Sequence, residues 1–186
     1  VSKAEIMLQI IDLSKADEKL MPQITKLSNT QNRIEYKDFV TFDPEQERIR
    51  KEMQFSNIEY VYKNGESILN ASNKILFEES IVALACLHQD VAYSTIAKRN
   101  IGGLFENISK PPYKVFFNPG TNSYNIINSV YIVRKIESLL QSKKENSSGK
   151  EKLLCIHGNR FIEHCILQIL KEIQNFDAEI IDIEDI

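Results

Sequence analysis

Apolar residues recur along this chain in two rhythms, and the longer stretches keep the helical one. Phe77, Ile81, Leu84, Ala85, Val91 and Ala92 return at roughly helical spacing, which predicts one long helical segment over Leu76 to Lys98, broken by Gly102-Gly103. Ile126, Ile127, Val130, Val133, Ile136 and Leu140 repeat the pattern from about Ser123. A last helix, opened by Ser148 and Glu151 at the spacing of a capping box, is expected to bury Leu154, Phe161, Ile162, Cys165, Ile166, Ile169, Leu170 and Ile173. Shorter patterns predict strands. One is largely buried over Glu5 to Leu13, with Ile6, Leu8 and Ile10 on one face. The other is short, over Tyr60, Val61 and Tyr62, and turns at Asn64-Gly65. Tyr113 to Phe117, bracketed by Pro111-Pro112 and Pro119-Gly120, reads as extended.

Polar residues mark where these elements begin and end. Asp17 and Pro22 place a helix start near Leu20, with Leu20, Ile24 and Leu27 on one face and Asn29 to Asn32 at its end. Asp43-Pro44-Glu45-Gln46 is the clearest helix start: Asp43 can cap, Pro44 suits the first helical position, and Gln46 stands where a capping box wants Glu or Gln. Ile49 and Met53 give that helix a thin apolar stripe, as on a surface helix. Residues 141–150 are polar and read as a linker. Beyond Lys171 come six acids and no base, and Glu179 to Ile186 alternates apolar with mostly acidic residues, like a strand. The fold class expected is α+β, predominantly helical with a few short strands.

Composition narrows the function. The 186 residues can bury one sizeable core. Lys and Arg number 23 against 26 acids, a net charge of -3, which argues against a dedicated nucleic-acid coat but leaves room for a local basic face. From Arg134 to Arg160 seven bases meet three acids, a local charge of +4. No apolar run approaches the roughly 18 residues of a membrane helix, and the first residues lack the pattern of a signal peptide. No membrane partner is expected. Cys86, Cys155 and Cys165 are odd in number and form no close pair, which reads as reduced thiols in a cytoplasmic protein.

Candidate chemistry is sparse. Cys155, His157, His164 and Cys165 cluster, but on one helix their spacing does not converge on a metal ion, and no metal site is assigned to them. The sequence holds neither a nucleophile elbow nor a phosphate-binding loop. Asp38, Asp43, Glu45, Glu47 and Glu66 would gather round a divalent metal if the protein were a nuclease. Helix capping and first-turn placement already account for Asp43, Glu45 and Glu47. Lys98, Arg99, Lys110 and Lys114 make a basic patch with Tyr113, Phe116 and Phe117 nearby, suited to stacking on a single strand, or else simply solvated. Asn29, Gln31, Asn32, Asp38, Asp43, Gln46, Lys63 and Glu66 gather amides and charges able to read a base edge, a phosphate or a backbone, or to lock a structural joint.

The order of these pieces resembles one family. Asn29-Thr30-Gln31-Asn32, Asp38-Phe39, Asp43-Pro44-Glu45-Gln46 and Tyr60-Val61-Tyr62-Lys63-Asn64-Gly65-Glu66 are similar to motifs of the AIPR family, the abortive infection phage resistance proteins of bacteria. Phe77 to Ala85 resembles its acidic, Ala-rich helix. Members carry a further motif upstream that this chain lacks, so the resemblance implies a C-terminal portion. Residues 1–140 would be part of the AIPR-like domain, 141–150 a linker, and 151–186 a terminal helix with a strand-like tail packed on the same domain. It implies antiphage defence in which the infected cell stops growing or dies. The polar window would form one wall of a site completed by the missing part. Two classes stay open: an effector directed at DNA or RNA, or a non-enzymatic sensor or scaffold that binds a phage or host protein. The resemblance transfers no catalytic residue, and enzyme or not is left undecided.

Overall fold

The computed structural model describes residues 40–62, 73–104 and 112–182. Among these, seven helices accompany a two-stranded parallel sheet, the helix-dominated α+β class expected. The expected strand at Glu5 to Leu13, the helix near Leu20 and the turn at Asn64-Gly65 lie outside the described residues.

α1 spans Pro44–Phe55 and begins where its sequence says it should. The Asp43 carboxylate accepts from the Glu45 backbone N–H at 3.1 Å, and Pro44 has no N–H to leave unsatisfied. Its stripe is thicker than expected, because Gln46 joins Ile49 and Met53 in complete burial. After α1, Asn57 takes a φ of 55°, a left-handed conformation Asn tolerates, and turns the chain into β1, Glu59–Val61. β1 pairs in parallel with β2, Lys74–Leu76, so that Tyr60 lies beside Ile75, and Lys74 meets Glu59 at 3.1 Å.

β2 runs straight into α2, Phe77–Leu87, and was hidden in the helical rhythm because Ile75 and Leu76 share its apolar character. The Leu76 N–H donates to Glu79 at 2.9 Å, which closes the helix start without a polar cap residue. Phe77 and every residue from Ser80 to Leu87 are buried. α2 packs against α5, Ser123–Glu145, whose Ile126, Ile127, Val130, Val133 and Ile136 face inward as predicted, with Leu140 half-buried.

The single segment expected over Leu76 to Lys98 is two helices. α3, Ala92–Arg99, starts afresh because Asp90 accepts from the Ala92 N–H at 2.9 Å and His88 Nδ1 accepts from the Asp90 N–H at 3.0 Å. Local side-chain bonds of this kind compete with helix continuation. Gly102 and Gly103 lie in a 3-10 turn, Ile101–Leu104. Tyr113 to Phe117 is not extended: Tyr113–Phe116 forms one helical turn, α4, with Tyr113, Phe116 and Phe117 buried. Phe77 stacks on Phe117 with centroids 5.4 Å apart, so tertiary packing overrides the flanking prolines.

The polar stretch 141–150 is helical on both sides of Asn146 to Ser148, since α5 continues to Glu145 and α6 spans Gly149–His157. The last helix is also divided, with α7 at Asn159–Ile173. The capping box does not form: Ser148 makes no side-chain cap bond, and Glu151 pairs with Lys143 at 2.8 Å. Glycine is required at both ends of α6. Gly149 has a φ of 54°, and a Cβ on Gly158 would stand 2.9 Å from the Leu154 carbonyl oxygen. Residues 174–182 hold no strand. Asn128 ties them down instead, donating to the Phe176 and Glu179 carbonyls and accepting from the Ile181 N–H at 2.9 Å.

Candidate functional site

Of the predicted polar wall, the structure describes Asp43 and Gln46; Asn29, Gln31, Asn32, Asp38, Lys63 and Glu66 lie outside the described residues. Gln46 is wholly buried and does not reach back to close a capping box. Its Oε1 accepts from the Tyr60 hydroxyl at 2.7 Å, and its Nε2 donates to the Tyr113 hydroxyl at 2.9 Å. Tyr113 in turn donates to the Asp43 carboxylate, which also receives Lys114 at 2.5 Å. Burial pushes both phenols well above the ordinary tyrosine range, and for Tyr113 the Asp43 carboxylate adds to the effect. Neutral donors at these positions bind α1 to β1 and α4.

The basic patch is divided. Lys114 joins Asp43 of the wall, while Lys98 donates to the Ile156 carbonyl at 2.8 Å and to Asn159 Oδ1 at 2.6 Å, capping the end of α6. Arg99 is exposed, and Lys110 lies outside the described residues. Tyr113, Phe116 and Phe117 are packed in the core rather than offered for stacking.

The histidine and cysteine residues do not converge either. His157 is exposed, whereas His164 is buried with Nδ1 2.9 Å from the Cys86 carbonyl oxygen. Cys86 is fully buried, its thiol 3.5 Å from Glu163 Oε2. Burial and the neighbouring Glu163 carboxylate hold the thiol in its protonated form. Glu163 is itself fully buried and accepts from Arg160 at 2.7 Å, and Arg160 also reaches Glu137 at 2.9 Å. No group of three or more His, Cys, Asp or Glu able to hold a metal ion occurs among the described residues. This buried network was missed in the sequence, where Arg160 and Glu163 show only a pair three apart on an apolar helix.

The feature most at odds with the sequence reading lies on α6 and α7. Leu154, Phe161, Ile169 and Ile173, expected in the core, are 57%, 59%, 63% and 67% exposed. Leu153 and Ile156 are exposed as well. On α7 the buried side is held by Glu163, His164, Leu167 and Leu170. Phe161, the half-buried Cys165, Ile169 and Ile173 follow one another at four-residue steps along another side. Periodicity pointed to the wrong side, since Glu163 and His164 make the buried side more polar than the exposed one.

The family model described as AIPR protein matches residues 1–186. This chain belongs to the AIPR family. Membership implies a part in abortive-infection phage resistance. No curated protein and no solved structure matches the AIPR chain. No helix among its described residues is long and apolar enough to cross a membrane.

Proposed function

We propose that this AIPR chain serves abortive infection as a protein-interaction scaffold, meeting another protein through the outward apolar side chains of α6 and α7. The observation that carries this is the exposure of Leu153, Leu154, Ile156, Phe161, Ile169 and Ile173, each at least about a third open to solvent. A lone exposed Leu means nothing, but a run of large apolar side chains along the outer side of two successive helices marks a surface that is covered in use. The described polar candidates support the same reading, because Asp43, Gln46, Lys98 and Lys114 are engaged in bonds that hold helices together.

The test is phage plating on cells that produce the protein with Ile169→Asp and Ile173→Asp. Protection is expected to fall at least tenfold while the thermal melt is unchanged, because neither side chain is buried. Undiminished protection would remove the reading. A second reading, an effector directed at DNA or RNA, is favoured by Lys135, Lys144, Lys150 and Lys152, which form no ion pair with a described residue. It requires binding to an oligonucleotide that weakens steeply with salt.

A further inference from the structure

We propose that the outward side of α6 docks an acidic amphipathic segment of another protein, one in which carboxylates stand beside apolar residues. This rests on the scaffold reading and adds the partner's chemistry.

Cys155 is the only buried residue of α6, so nearly the whole helix is presented to solvent. Lys150 lies three and four positions before Leu153 and Leu154, and Lys152 lies four before Ile156, so each exposed apolar side chain has a lysine one turn away on the same side. The unpaired charge here is mainly positive, four lysines against the Glu145 carboxylate. Between Arg134 and Arg160 two of the three acids are held in ion pairs, Glu137 with Arg160 and Glu151 with Lys143, while Glu145 accepts from the neutral Gln141 amide and keeps its charge. Lys135, Lys144, Lys150 and Lys152 keep their charge in a chain whose overall charge is -3.

Three other occupants fit less well. A phosphate backbone would satisfy the lysines but leave Leu153 and Leu154 against water. A lipid surface favours helices with separate apolar and basic faces, whereas Lys150 stands among the leucines. A second copy meeting this side symmetrically would set lysines against lysines. A protein segment with acids interleaved among apolar residues satisfies both features at once.

The probe is a synthetic helical peptide carrying leucines with glutamates beside them, compared with a peptide in which each glutamate is lysine. Binding to the full chain is read by fluorescence anisotropy. The acidic peptide is expected to bind at least tenfold tighter. Lys150→Glu with Lys152→Glu should reverse that preference, and Leu153→Asp should abolish binding of both peptides. Equal affinity for the two peptides would overturn the inference. So would tighter binding of a single-stranded oligonucleotide or of phosphatidylserine vesicles, or a concentration-dependent dimer in light scattering that Leu153→Asp dissolves. If Leu153→Asp abolishes phage protection but the acidic peptide is not preferred, the partner chemistry fails and the scaffold reading stands. If Leu153→Asp together with Ile169→Asp and Ile173→Asp leaves protection intact, the scaffold reading itself fails.

Discussion

Gln46 and Tyr113, 67 positions apart, meet in a buried hydrogen bond of 2.9 Å that ties the first turn of α1 to α4. The same amide receives Tyr60 from β1, so one buried side chain accepts from one phenol and donates to the other. Leaving buried donors unpaired costs roughly 1–3 kcal/mol each. Gln46→Leu leaves the Tyr60 donor without this acceptor and is therefore expected to destabilise the fold by about 2–3 kcal/mol, despite adding apolar surface. Tyr113→Phe should cost less, about 1–2 kcal/mol, because Tyr60 keeps its partner. Urea denaturation of both variants checks the order.

Arg134 grips Glu79 with two nitrogens, at 2.9 and 2.8 Å, and also donates to the Lys74 carbonyl at 2.6 Å. Glu79 in turn closes the start of α2, so the arginine on α5 fixes the junction of β2 and α2. Lysine lacks the planar fork. Arg134→Lys should lose about 1 kcal/mol, a discounted figure because the pair is partly exposed. Thermal unfolding in low and high salt measures it, and the loss should shrink little with salt if the carbonyl bond matters most.

Glu163 sets a pH dependence whose sign is opposite to that of most carboxylates. Burial raises its pKa above the ordinary glutamate value, and the attraction of Arg160 does not fully offset this. The folded state then binds the proton more tightly than the unfolded chain. Its contribution is most favourable below the unfolded value of about 4.5 and declines as pH rises from there through the folded pKa. Glu163→Gln should flatten that part of the stability profile, with the largest relative gain near neutral pH. Urea midpoints taken across this range provide the comparison, and an unchanged slope would contradict the account.

Asn128 fixes the segment after α7 by three bonds to its backbone. Asn128→Ala should raise hydrogen exchange at Phe176 to Ile181 at least tenfold while α2 stays protected. Equal protection in both proteins would show that Phe176 and the bonds of Asn122 and Asn125 to Asp177 hold the segment without Asn128.

Much of this was legible in the sequence, and the failures have physical causes. The start of α1 and the inward face of α5 could be read because Asp43-Pro44 and the apolar repeat act locally. β2 could not be read, because Lys74 to Leu76 becomes a strand only by pairing with β1. The breaks after Leu87 and at Gly158 rest on side-chain bonds of His88 and Asp90 and on crowding at Leu154, which spacing does not reveal. On α7, spacing showed apolar residues but not that the covered side is the one carrying Glu163 and His164. Most of the polar wall, Asn29 to Asp38 with Lys63 and Glu66, falls outside the described residues.

The scaffold claim and the nucleic-acid alternative separate in one plating experiment. Cells produce the wild-type protein, the Ile169→Asp/Ile173→Asp protein, or a protein with Arg99, Lys135 and Lys144 changed to Ala, and each is challenged with phage at matched protein levels. The account predicts that the apolar-face variant loses protection at least tenfold and that the basic variant keeps most of it. Protection retained by the apolar-face variant and lost by the basic one would contradict the scaffold reading and assign the activity to an anionic polymer.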